Sequence, residues 1–170
     1  APRGLIPIRR LSLPHILFSM NLSLQGKTAL ICGSTQGIGL AIAKELALLG
    51  ADCILMARNA ESLQEAKAKL DTASGQVHQT ALADFSDTAS VHDAVSTILQ
   101  NNTVHILVNN TGGPPAGPIV QASAADFLSA LNLHLINNHP LATAVLHGMK
   151  QSGYGRIINI VSTSVKIPLN

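Results

Sequence analysis

The chain has 170 residues, of which 46% are hydrophobic and 12% are charged, and its formal net charge is +2. This composition predicts a single globular domain with a real hydrophobic core, and the small net charge argues against a nucleic-acid partner. No apolar run approaches the length of a membrane span, which argues against insertion into a bilayer.

The first 20 residues differ from the rest of the chain. Ala1 to Ser19 contain three prolines, three arginines and no acidic residue. A targeting peptide is one interpretation, because Arg9-Arg10 precedes a short apolar run, but Pro14 interrupts that run. We expect residues 1–20 to be an unstructured or upstream extension, with Met20 as the native start, and residues 21–170 to form one folded domain.

The first predicted strand, Thr28–Ile31, leads through a glycine-rich turn into a predicted helix, Gly39–Leu49. This arrangement holds a dinucleotide pyrophosphate, because glycines permit close backbone approach and a helix N-terminus attracts phosphate. The pattern predicts that Gly33, Gly37 and Gly39 frame the pyrophosphate, and that residues 21–170 form a dinucleotide-binding domain. A tight turn without a ligand is the alternative interpretation.

Strand and helix patterns then alternate. The first helix is expected to bury Ile42, Leu46 and Leu49 and to end at Gly50. There follow, in chain order, a strand Asp52–Ala57, a helix Ala60–Ala73, a strand Gln76–Ala81, and a helix from the cap candidates Ser86, Asp87 and Thr88 to about Leu99. Two cysteines, Cys32 and Cys53, fall on predicted buried strands, so we expect reduced core thiols rather than a disulfide.

The second half of the chain continues the alternation. Its predicted elements are a strand Val104–Val108, a Gly/Pro loop Gly112–Gly117, a long helix from the capping box Ser123–Asp126 to about Lys150, and a strand Arg156–Val161. The alternation predicts an α/β fold with a parallel sheet covered on both faces. Because the loops that follow the strands lie at one edge of such a sheet, their motifs converge on one crevice.

Three segments resemble motifs of the short-chain dehydrogenase/reductase family. The turn Cys32–Gly39 resembles the motif Thr-Gly-x-x-x-Gly-Ile-Gly with cysteine for threonine, and Asn109–Gly112 resembles Asn-Asn-Ala-Gly with Thr111 for alanine. Gly155–Ser162 resembles the strand that ends in the family's catalytic serine. The resemblance runs from about Leu22 to Asn170 and implies a Rossmann-type, doubly wound parallel sheet that is truncated after the fifth strand.

The resemblance implies NADP as the cofactor, with NAD less favoured. Ala57 stands where the family's NAD-selecting acidic residue ends the second strand, and the guanidinium of Arg58 suits a ribose phosphate. Each of these roles has an alternative: Arg58 is a solvated arginine, Thr35 is a plain turn residue, or Asp84 is a loop cap. The expected cofactor-binding residues are Gly33, Thr35, Gln36, Gly37, Ile38, Gly39, Arg58, Asp84, Phe85, Asn110, Thr111 and Gly112, with Asp84 and Phe85 beside the adenine.

The resemblance also implies two catalytic residues. Ser162 is expected to hydrogen-bond the substrate carbonyl or hydroxyl, unless it caps the strand end or Thr163 or Ser164 takes its place. His134 occupies the position of the family's active-site asparagine. It either takes over the role of that asparagine or is only a polar core residue. The family's catalytic tyrosine and lysine positions lie beyond Asn170, so we expect the chain alone to be inactive.

These observations predict an NAD(P)-dependent oxidoreductase that transfers a hydride between NADP(H) and a small-molecule carbonyl or alcohol. The alternative is a non-catalytic nucleotide-binding protein of the same fold that senses or scaffolds. The segment Ser162–Pro168 and the loop after the fourth strand resemble an atypical branch in which the tyrosine and lysine are often replaced. We expect no metal site, a cytoplasmic location, and a homo-oligomer when the protein is full length.

Overall fold

The computed structural model describes residues 20–113 and 117–162. The expected N-terminal extension before Met20, the prolines Pro114 and Pro115, and the alternative serine-register residues Thr163 and Ser164 lie outside the described residues. Within the described residues, no helix is both long and apolar enough to cross a bilayer.

Five parallel strands form one sheet. They are β1 (Thr28–Cys32), β2 (Asp52–Ala57), β3 (Gln79–Leu82), β4 (Ile106–Asn109) and β5 (Arg156–Asn159), and their order is β3-β2-β1-β4-β5. The order reverses between β1 and β4, and that switch point opens a crevice at the carboxyl ends of the strands. The predicted α/β fold is confirmed.

Helices cover both faces of the sheet. The helices of the described fold are α1 (Gly37–Leu48), α2 (Ala60–Lys67), α3 (Thr88–Asn101), α4 (Ala124–Leu131) and α5 (Asn138–Gln151), with a 3₁₀ turn at Ile119–Gln121 and a π-helical turn at Asn132–Ile136, and α4 contacts the π-helical turn rather than the sheet. One core joins α1 and α2 to the sheet, and a second core on the opposite face joins α3 and α5 to it. The central strands are buried on both faces, which explains their continuous apolar sequences.

Both cysteines are buried and free, as predicted. Burial raises the pKa of Cys32 and of Cys53 to about 12. Because the thiolate is the reactive form, both thiols behave as small core residues.

The buried face of α1 differs from the prediction. Its buried residues are Gly39, Ala43 and Ala47, whereas Leu49 is exposed and Ile42 and Leu46 pack only at the margin of the core. Small side chains bring the helix backbone close to the sheet, and the Cys53 Sγ lies 3.5 Å from the Ala43 carbonyl oxygen. The prediction was wrong because it followed the largest side chains.

The second helix and third strand are also shorter than predicted. Helix α2 ends at Lys67 rather than Ala73, and β3 begins at Gln79 rather than Gln76. The buried Gln76 amide donates to the Ala47 carbonyl at 2.6 Å, so this residue ties the connection to α1 instead of entering the sheet. Gly75 precedes it with a positive φ of 83°.

The predicted long helix is divided into α4, the π-helical turn and α5. The capping box at Ser123 and Asp126 is confirmed, with the Ser123 N–H 2.8 Å from the Asp126 carboxylate. Pro140 lies in the first turn of α5, and its ring lacks the N–H that would bond to the carbonyl of Ile136. The prediction of one continuous helix was wrong because Pro140 prevents regular helical hydrogen bonding through this segment.

The amino edge of the sheet carries an aromatic cluster around Tyr154. Lys27 and the guanidinium of Arg156 each lie 4.7 Å from the centre of its ring, and His105 meets it edge-on with centroids 6.3 Å apart. His105 Nδ1 also accepts the N–H of Thr28 at 3.0 Å, at the start of β1.

Strand β5 ends at Asn159 rather than Val161, and its side chains are exposed.

Candidate functional site

The turn after β1 is tied to both neighbouring strands. The Gly33 N–H donates to the Met56 carbonyl at 2.9 Å, and the Asn110 side-chain amide donates to the carbonyls of Cys32 and Gly33 at 3.2 Å each. Gly33 has a φ of +58°, and a Cβ there would lie 2.5 Å from the Asn110 carbonyl oxygen. Only glycine fits this backbone conformation and this close approach.

Helix α1 begins directly after that turn. Gly39 is buried, and a Cβ on it would overlap the Gly33 carbonyl and lie 2.8 Å from Asn110 Nδ2. Gln36 is the extended N-cap residue and makes no side-chain cap, and the first turn of α1 contains no acidic residue. The turn therefore leaves a cradle without side chains at the positive end of the helix dipole, which suits an anionic group.

The other predicted residues of this turn surround the cradle. Thr35 is half-buried, and Gly37, Ile38 and Gln36 are exposed. The fold thus brings Gly33, Gly39 and Asn110 close together and leaves the Gln36 and Ile38 side chains at the surface.

The carboxyl end of β2 carries a cation. Ala57 is buried, and Arg58, which follows it, is exposed. Hydrogen bonds from the Ser86 N–H (2.9 Å) and hydroxyl (2.7 Å) hold the pKa of Asp84 below its usual value, and the charge of Arg58 contributes in the same direction. Arg58 and Asp84 therefore belong to one corner of the crevice, and Asp84 remains ionised there.

The predicted adenine loop is the segment after β3 that contains Asp84 and Phe85. Hydrogen bonds to neighbouring helices hold it more firmly than its sequence indicated. The Asp84 N–H donates to the Ser90 hydroxyl at 3.0 Å, so the loop folds back on α3. The Phe85 side chain packs in the core on the α3 and α5 face. Its carbonyl accepts the Asn137 amide at 2.6 Å. The interior placement of the ring leaves the loop backbone and Asp84 as the groups at the surface.

Thr111 and His134 meet on the other side of the switch point. The Thr111 hydroxyl oxygen lies 2.9 Å from His134 Nδ1 and 3.4 Å from the Leu133 carbonyl oxygen. Both side chains are half-buried. His134 lies within the π-helical turn, and the Asn138 amide donates to its carbonyl at 2.6 Å. Such turns occur often at functional sites.

Asn137 is a residue of this region that the sequence reasoning missed. It is completely buried, donates to the Phe85 carbonyl, and accepts a hydrogen bond from the Thr88 hydroxyl at 2.9 Å. It thereby joins the start of α5 to the predicted adenine loop. The signal in the sequence was the run Asn137-Asn138-His139-Pro140, in which a proline follows two amides that can replace helical hydrogen bonds.

The ends of β4 and β5 are joined by a pair of amides. The Asn109 side-chain N–H donates to the Asn159 side-chain oxygen at 2.8 Å. Asn109 Oδ1 is buried and has no hydrogen-bond partner among residues 20–113 and 117–162. Ser162 lies beyond the end of β5 and is exposed, and Gly112 is exposed after β4.

Comparison with known proteins gives a consistent result. The family model described as short chain dehydrogenase matches residues 27–170. The chain is 35% identical over 146 residues to gluconate 5-dehydrogenase of Gluconobacter oxydans, covering 85% of this chain and 57% of that protein.

Solved structures show the same likeness. The L-sorbose reductase of Gluconobacter frateurii, in complex with NADPH and L-sorbose, superposes with a TM-score of 0.81 at 32% identity, covering 88% of this chain and 57% of the other. A short-chain dehydrogenase of Sphingobium yanoikuyae in complex with NADPH gives a TM-score of 0.74 at 34% identity, with coverages of 84% and 56%. The chain thus spans a little more than half the length of these relatives.

Proposed function

The chain belongs to the short-chain dehydrogenase family, and on this premise we propose that it is the nucleotide-binding part of an NADP-dependent oxidoreductase acting on a small-molecule carbonyl or alcohol. The observation that carries the proposal is the side-chain-free cradle after β1 with the cation of Arg58 at the end of β2. The cradle suits a pyrophosphate, and the cation suits a further phosphate on the adenosine ribose.

The preference for NADP over NAD rests on the corner around Arg58. Ala57 offers no carboxylate to receive ribose hydroxyls, and the guanidinium of Arg58 is exposed. A planar guanidinium binds phosphate through paired hydrogen bonds. The NADPH bound to the sorbose reductase and to the Sphingobium enzyme supports the same cofactor.

The remaining residues have assigned roles in the proposal. When bound, NADPH supplies the hydride. Gly33, Gly37 and Gly39 receive the pyrophosphate, and Asn110 holds their turn against β4. Thr111 and Gly112 lie beside the nicotinamide half. Ser162 donates a hydrogen bond to the substrate oxygen, and His134 supplies a polar group near it. The substrate is a small carbonyl or alcohol compound, the type that the names of the relatives describe.

The two free, buried cysteines suit a reducing compartment, which supports a cytoplasmic location.

The cofactor assignment is tested by calorimetry with NADPH and NADH on the natural full-length protein. We expect NADPH to bind more tightly by roughly 1–3 kcal/mol, the range of a charge-assisted hydrogen bond. Arg58→Ala should remove most of this difference. Arg156→Ala is the matched control, because it removes an exposed arginine at the opposite edge of the sheet and should leave the difference intact. Equal affinities for the two nucleotides before any substitution would contradict the assignment.

A further inference from the structure

We infer that Thr111 is a positioning residue that fixes the tautomer of His134, with the proton on Nδ1 and the lone pair on Nε2. The tautomer is inferred from the geometry of the Thr111–His134 pair. That this tautomer matters for catalysis rests on the proposed function. Thr111 is among the expected cofactor-binding residues, and its hydroxyl oxygen lies 2.9 Å from His134 Nδ1.

A hydroxyl has one proton, so its neighbours decide the direction of its hydrogen bonds. Two acceptors lie within reach of the Thr111 hydroxyl, namely His134 Nδ1 at 2.9 Å and the Leu133 carbonyl oxygen at 3.4 Å. The carbonyl can only accept. If the hydroxyl donates to it, the hydroxyl oxygen must accept from Nδ1, and the short contact then requires a proton on Nδ1.

This direction forms a continuous chain from ring N–H to hydroxyl to carbonyl. Chains of this kind are cooperative, because each bond polarises the next. In the reverse direction, the Thr111 hydroxyl would donate its proton to Nδ1. The Leu133 carbonyl would then receive no hydrogen bond from Thr111. The chain therefore favours the Nδ1–H tautomer.

The backbone that carries the ring is held in place. His134 lies in the π-helical turn, where the Asn137 N–H donates to the Asn132 carbonyl at 3.1 Å. The Asn138 amide satisfies the His134 carbonyl at 2.6 Å. With Nδ1 engaged by Thr111, Nε2 is the ring nitrogen that accepts a hydrogen bond or a proton. A neutral histidine in the other tautomer would present a donor at that position.

The test is long-range proton–nitrogen NMR on the full-length protein labelled with ¹⁵N-histidine. His134→Gln identifies the His134 signals among those of the seven histidines in this sequence. We expect the nitrogen shifts of an Nδ1–H ring in the unmodified protein and in Thr111→Ser, which keeps the hydroxyl. Thr111→Val keeps the shape and removes the hydroxyl, and should give the averaged shifts of a ring that exchanges between tautomers.

An Nε2–H signature in the unmodified protein, or identical shifts in Thr111→Val, would overturn the inference. Circular dichroism and melting curves of both variants show whether each is folded, and Thr111→Ala is a second hydroxyl-free variant if the valine protein does not fold.

Steady-state kinetics test the catalytic meaning of the tautomer. Thr111→Val should lower kcat by about twofold or more, because a ring that exchanges between tautomers presents the Nε2 lone pair only part of the time. Thr111→Ser should restore kcat. An unchanged kcat in a valine variant whose tautomer has changed would overturn the positioning role. A full-length protein that binds no NADPH would instead contradict the proposed function, and the tautomer would still be decided by NMR.

Discussion

At the residue scale, the cradle depends on the absence of single side chains. The Cβ of an alanine at position 39 would overlap the Gly33 carbonyl, and a Cβ on Gly33 or Gly39 would lie 3.0 or 2.8 Å from Asn110 Nδ2. Backbone atoms provide most of this contact, so they cannot rotate away as a flexible side chain would. The close approach of these backbone atoms therefore makes the turn intolerant of a methyl group.

Gly39→Ala is expected to destabilise the fold by about 1–3 kcal/mol, the usual cost of overpacking, and to weaken NADPH binding. Urea unfolding and calorimetry measure the two effects. Gly113→Ala is the matched control, because a Cβ there meets nothing within 4 Å among residues 20–113 and 117–162 and the residue has no positive φ. Wild-type stability in Gly39→Ala would contradict the described packing.

His105 makes stability depend on pH. Desolvation, followed by the charge of Lys27, lowers the pKa of His105. Its Nδ1 accepts the Thr28 N–H and must be unprotonated to do so. The native state therefore binds fewer protons than the unfolded chain, and stability is fully present above about pH 6.5 and is lost as the pH falls from there toward the folded pKa.

His105→Asn should flatten this dependence, since an amide oxygen accepts the same hydrogen bond at every pH. Urea unfolding at pH 7.5 and at pH 5.5 provides the measurement. His147→Asn, at an exposed position on α5, should keep the unmodified pH dependence. A pH dependence that survives in His105→Asn would show that another group is responsible.

At the element scale, the order of strands and helices was more predictable than their bounds. Strand β2 has the predicted bounds because its side chains are buried on both faces and its sequence is continuously apolar. Helix α1 buries alanines rather than leucines, because close packing on the sheet outweighs side-chain size. The residues after Lys67 have helical composition, yet tertiary hydrogen bonds of Gln76 and His78 hold them in turns.

The candidate site was predicted where it rests on local backbone geometry. The glycine turn is an example, since φ and close approach leave little choice of residue. The pairing of Thr111 with His134 spans two elements and depends on a π-helical turn that helical periodicity does not reveal. Asn137 escaped prediction for the same reason, because its partners lie on a distant loop.

Asn137 should connect the stability of α5 to that of the predicted adenine loop. Asn137→Ala leaves a buried carbonyl at Phe85 without its donor, so we expect a loss of about 1–3 kcal/mol in the free energy of unfolding. Hydrogen exchange should also accelerate at residues 84–88. Asn132→Ala, at an exposed position, should change neither quantity. Unchanged exchange in Asn137→Ala would show that the two elements are independent.

At the scale of the whole molecule, α4 and the π-helical turn expose an apolar stripe. Large hydrophobic residues along α4 and the π-helical turn are more than half exposed, or nearly so, and they include Phe127, Leu128, Leu131 and Leu135. Ile157 and Ile158 of β5 are also exposed. Contiguous apolar surface of this kind marks an interaction face.

We therefore expect the 170-residue chain to self-associate through α4 and the π-helical turn. Light scattering over a range of concentrations should show a rising mass, and the double variant Leu128→Glu, Leu135→Glu should reduce it. Leu48→Glu is the control, because Leu48 is 63% exposed on α1, which covers the opposite face of the sheet. A concentration-independent monomer before substitution would contradict the expectation.

The cluster around Tyr154 has an optical consequence. This sequence contains one tyrosine and no tryptophan. Its tyrosine emission therefore comes from a single ring that contacts Lys27, before β1, and Arg156, at the start of β5. The tyrosine fluorescence of the chain therefore reports whether the start of β5 is packed at the amino edge of the sheet. This emission does not overlap the emission of a reduced nicotinamide.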